Sequence, residues 1–101
     1  MTDYKKLYCL HFGFDYGDFI PSEISGLPAV DIHHIENRKM GGTKKENRIE
    51  NLIALTRQEH EKYGDQVDYK AQLYKTHQNH LKTINKPYNE AWLKAQIEKY
   101  S

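Results

Sequence analysis

The sequence predicts a small α+β protein, and three observations lead there. Two short apolar stretches, residues 29–35 and 49–55, flank a polar, glycine-containing loop. A helix-start signature follows the second stretch at once. Beyond it, apolar residues recur with helical spacing almost to the last residue. At 101 residues the chain suffices for one domain, 1–101, and not for two.

Taken in order, residues 1–28 form an aromatic N-terminal segment and a knuckle. Tyr8, Phe12, Phe14, Tyr16 and Phe19 are interrupted by Gly13 and Gly17. Residues 5–12 suit either a strand or a short helix, with a turn near 13–18. Residues 21–28, bounded by Pro21 and Pro28 and containing Gly26, read as a turn-rich knuckle.

Residues 29–35 alternate apolar and polar side chains through Val30 and Ile32, which favours a strand. A loop over 36–47 follows, with Gly41 and Gly42 supplying backbone freedom. Ile49, Leu52, Ile53 and Leu55 then suit a strand returning antiparallel to the first. Thr56 and Glu59 match a capping box, so a short helix is expected from Arg57 to about Tyr63, stopped by Gly64.

Residues 66–101 read as a helical extension. Val67, Ala71, Tyr74, His77, Leu81 and Ile84 share one helical face. The run 85–87 ends that helix. Asn89 caps a last one carrying Trp92, Leu93, Ile97 and Tyr100. Both stripes suit packing against the core, and a homodimer through these helices is the alternative use.

Composition narrows the class. The net charge of +1 favours no partner by itself. Distribution says more: Arg38, Lys39, Lys44, Lys45 and Arg48 cluster against the single acid Glu46, one basic loop fit for phosphates. Cys9 is the only cysteine, so no disulfide forms within the chain; it reads as a small apolar residue. That cysteine usage and a polar N-terminus without an apolar core segment fit a cytoplasmic protein. No apolar run is long enough to span a membrane.

Chemistry concentrates in one order of residues: Asp31-Ile32-His33-His34-Ile35, then Asn51-Leu52, then His60. Neighbouring residues on a strand point to opposite faces, so His33 and His34 can serve different tasks. If the helix after the second strand packs across the hairpin, His33 and His60 converge on one ion. His77 and His80, one helical turn apart, offer no third ligand and read as solvated or packing residues.

The stretch AVDIHHIENRKMGGTKKENRIENLIALTRQEH, residues 29–60, resembles the HNH endonuclease family. The resemblance implies a ββα-metal (His-Me finger) core over residues 29–65. It implies hydrolysis of DNA phosphodiester bonds by nicking or double-strand cleavage, with one divalent cation (Mg, Mn, Ni or Zn). By the family's pattern His34 is the general base, while His33 and His60 hold the metal. Asn51 either joins them as a ligand or braces the loop so that the base points correctly. Arg38 stands where related sequences hold the scissile phosphate, and Asp31 suits orienting a histidine through Nδ1–H. Compact nucleases of this kind occur in phages and mobile elements. The alternatives are a non-catalytic DNA-binding module on the same scaffold, and an RNase or toxin using the same chemistry.

The chain departs from the family in one respect. Many members carry two CxxC pairs that build a structural zinc ribbon. Here Ser22, Ser25, Thr56 and Glu59 stand where thiolates would be. Hydroxyls are poor zinc ligands, so no structural zinc is expected.

Overall fold

A computed structural model describes residues 2–15, 17–37 and 44–101, with the side chain of Lys44 left aside. The fold is α+β. Among the described residues it has four α-helices and one two-stranded antiparallel sheet. No helix among them is long and apolar enough to cross a membrane.

Helix α1 spans Asp3–Phe12, so residues 5–12 are helical, not extended. Gly13 ends it at φ 78, a left-handed conformation that glycine adopts without steric penalty. Tyr8 and Cys9 face inward, while Leu10 on the opposite face is exposed. Burial, then the nearby Asp18 carboxylate, raises the Cys9 pKa, which favours the protonated thiol. The knuckle follows, closed by a bridge between Pro21 and Pro28. Its Glu23 N–H donates to Ala54 O at 3.0 Å, which pins it to the sheet.

Strand β1 (Asp31–His34) pairs with β2 (Leu52–Leu55), with Asp31 opposite Leu55 and His34 opposite Leu52. The second apolar stretch is only partly a strand. Residues Ile49–Asn51 form a 3-10 turn before β2. That turn aims the Ile49 carbonyl at His77 and carries Glu50 to Arg48 and the Asn89 N–H. All four residues of β2 are buried, because helices and knuckle cover both its faces.

Helix α2 spans Arg57–Glu59 and opens on the expected capping box. The Thr56 hydroxyl accepts from Glu59 N–H at 3.1 Å, and Glu59 accepts from Thr56 N–H at 2.9 Å. From His60 to Gly64 the helix widens into a π-helical turn. Gly64 is therefore not a left-handed stop; its φ is not positive.

A 3-10 turn, Val67–Tyr69, leads into α3 (Lys70–Lys82), and α4 spans Glu90–Tyr100. The inward face of α3 is Leu73, Tyr74, His77 and Leu81. Val67 is exposed and belongs to the turn, not to the stripe. Asn89 caps α4 through its side chain, as expected. Leu93 is fully buried, and Trp92, Ile97 and Tyr100 pack against the core.

A polar network ties these parts together. His77 and the Glu23 side chain are fully buried. Both ring nitrogens of His77 face acceptors: Nδ1 meets the Glu23 carboxylate oxygens at 2.8 and 3.0 Å, and Nε2 donates to Ile49 O at 2.6 Å. Tyr8 of α1 donates its hydroxyl to the same carboxylate at 2.7 Å. One carboxylate thus links α1, the knuckle and α3. His77 is a buried structural residue, and His80 packs on Phe12 instead.

Candidate active site

β1 splits its two histidines between environments. His33 is buried, and its Nε2 donates to Gly64 O at 2.6 Å, which leaves Nδ1 with the lone pair. Burial, then the neighbouring His60, hold the His33 imidazole below its ordinary pKa, against the pull of the Gly64 carbonyl. That shift favours the neutral ring, the form that binds metal.

His60 enters from the π-helical turn. Its ring centroid lies 4.7 Å from that of His33. Its Nδ1 meets Asp31 Oδ2 at 3.1 Å, leaving Nε2 as the electron-pair donor. Asp31 thus sits where it orients a histidine, and that histidine is the helical one. Asp65, the residue after the turn, joins the pair. Ligand atoms of His33, His60 and Asp65 all lie within 4.8 Å of one another. Around a tetrahedral ion such atoms stand roughly 3.4 Å apart, so the three groups would have to close in to hold one cation. Two imidazoles and a carboxylate are a donor set that suits zinc, nickel or manganese.

His34 stands on the other face of the strand. Its Nε2 meets Asn47 Oδ1 at 2.7 Å, and since that oxygen only accepts, the ring donates from Nε2. The Tyr4 ring of α1 packs edge-on against it, with centroids 4.5 Å apart. His33, His34, His60, Asp31, Asp65 and Tyr4 border one open cleft of about 380 Å³.

Asn51 does not line this cleft. It is fully buried, and its Oδ1 accepts from Glu36 N–H at 2.7 Å and from the Tyr74 hydroxyl at 2.8 Å. Its Nδ2 donates to Glu36 O and Glu46 O. Both lone pairs of the amide oxygen are taken by these two donors, the arrangement of a brace. Of the two open alternatives, the chain uses Asn51 to hold the two ends of the 36–47 loop together.

The basic loop divides similarly. Arg48 is committed to Glu50 at 2.9 Å and lies over the Trp92 ring at 4.3 Å from its centroid. These two contacts fasten α4 to the turn before β2. Lys45 is exposed. Arg38, Lys39 and the Lys44 side chain lie outside the described residues, so the phosphate-holding role expected of Arg38 does too.

The four positions where the family resemblance would put thiolates do converge, as a hydrogen-bonded cluster. Ser22 Oγ donates to Glu59 Oε1 at 2.5 Å, and Ser22 Oγ accepts from Ile24 and Ser25 N–H. Burial pushes the Glu59 carboxyl up, but hydrogen bonds from Ser22, Ser25 and Thr56 outweigh it and hold the pKa below the usual range.

Asp65, Asn47 and Tyr4 were not singled out from sequence. Asp65 had a usable signal, an acid five residues after His60. Asn47 and Tyr4 reach His34 across folded chain, and nothing local marks them. No protein-family model matches the chain, and no curated protein or solved structure matches it at a significant level.

Proposed function

We propose that the protein is a metal-dependent endonuclease of the HNH type that hydrolyses DNA phosphodiester bonds. The observation carrying this reading is the shared cleft. Two imidazoles and a carboxylate converge within 4.8 Å, and a third imidazole, oriented by Asn47, borders the same opening. On this reading β1, β2 and α2 with its π-turn are the ββα-metal core.

His33, His60 and Asp65 would hold one divalent cation, which supplies charge neutralisation at the phosphate and at the departing oxygen. His34 takes the proton of the attacking water, a step for which neutral imidazole is suited near neutral pH. Asn47 keeps that ring from turning. Tyr4 shields one side of it. The exposed Lys45, next to Glu46 on the basic loop, would contact DNA phosphates without reading bases.

The test is supercoiled plasmid with purified protein and Mg²⁺, Mn²⁺, Ni²⁺ or Zn²⁺. Nicking that EDTA abolishes and that His34→Ala lowers by about 10²–10⁴-fold supports the enzyme. DNA shifted but uncut under every metal means a binding module instead. RNA cut in preference to DNA reassigns the substrate.

A further inference from the structure

Gly64 closes the π-helical turn and is buried. Among the described residues only Gly13, Gly17 and Gly26 have positive φ, so the backbone at residue 64 does not call for glycine. Space does. A Cβ placed there would lie 2.3 Å from His60 Cδ2, 3.2 Å from His60 Nε2 and 3.3 Å from His33 Cε1. The three nearest atoms all belong to the two imidazoles of the cluster. The carbonyl oxygen of the same residue accepts from His33 Nε2 at 2.6 Å.

We propose that Gly64 is a positioning residue for the metal centre: its carbonyl sets the His33 ring, and its missing side chain holds open the space where His60 stands beside it. The proposal rests on reading the cluster as a metal site. A methyl at residue 64 sits inside the contact distance of His60 Cδ2, so that ring must move. Its side chain is 35% exposed, and it can swing into solvent. The swing breaks the Asp31 contact and spreads the cluster, while the buried apolar core stays in place.

The experiment compares wild type, Gly64→Ala, His60→Ala and the double variant. Metal uptake is read by Zn²⁺ calorimetry and by the visible absorption of bound Co²⁺. Apo stability is read by thermal melting. Gly64→Ala is expected to bind Zn²⁺ at least about tenfold more weakly, the usual cost of disturbing a group that orients a ligand. Its Co²⁺ spectrum should change shape as well as intensity. In melting, any cost of Gly64→Ala should vanish in the His60→Ala background, because the clashing ring is gone. Gly64→Ala binding as tightly as wild type, or costing equal stability with and without His60, overturns the proposal. Wild type that takes up no ion overturns the metal reading beneath it, an outcome separate from either.

Discussion

The Ser22 hydroxyl donates to the Glu59 carboxylate across 37 residues of chain, at 2.5 Å. That bond joins the knuckle to the start of the helix that carries His60. Glu59 also completes the capping box with Thr56, so one side chain fixes both where the helix starts and what it rests against.

Replacing Glu59 with Ala should therefore cost more than a solvent-exposed cap. Loss of the cap and of the Ser22 bond together is expected to remove about 2 kcal/mol, measured by urea unfolding. Ser22→Ala should cost less, since the cap survives.

The same carboxylate sets an acid sensitivity. Its folded-state pKa is depressed, so its contribution is fully present above the unfolded value and is lost as pH falls through the folded one. Wild type should lose stability below the ordinary carboxylate range, and Glu59→Gln should lose less over the same interval. Parallel stability–pH curves for the two proteins would remove Glu59 as the source.

Asn51 separates brace from ligand. Asn51→Ala strands Tyr74, Glu36 and Glu46 groups in the interior, and about 3 kcal/mol of stability should go with them. Metal affinity of the folded fraction should stay within a few-fold of wild type. A large loss of Zn²⁺ binding at full stability would restore Asn51 as a ligand.

His77 and Glu23 form a buried pair, and single replacements leave a partner uncompensated. Each of His77→Phe and Glu23→Gln should cost about 3 kcal/mol or more. The double variant should cost clearly less than the sum. Strict additivity in the double-mutant cycle would show that the pair is not coupled.

Asn47→Ala tests the orientation of the proposed base. Plasmid nicking should fall roughly tenfold, with Zn²⁺ affinity unchanged, because the residue touches His34 and not the metal cluster. Equal loss of both would place Asn47 in the general fold instead.

The hairpin, the capping box and the Asn89 cap were legible because each leaves a local pattern: alternation, a Thr–Glu spacing, a cap residue before a helical stripe. Helix α1 was ambiguous since an aromatic run with interspersed lysines fits either period. The π-helical turn was invisible, as no residue type marks it, and Gly64 read as a stop when its purpose is clearance. His77 shared a stripe with Leu81 and Tyr74, yet its partner Glu23 lies in the knuckle. Such pairings come from tertiary contact alone, as does the placement of Tyr4 on His34.

Strand β2 carries a last consequence. Its sequence Leu52–Leu55 is wholly apolar and is hidden on both faces only while helices and knuckle stay docked. On heating, the uncharged stretch 51–56 that contains it is laid bare, a window of the length and composition that favours self-association. Thermal melts should end in turbidity and fail to retrace on cooling, so the working lifetime of the protein is set by how fast those covers lift.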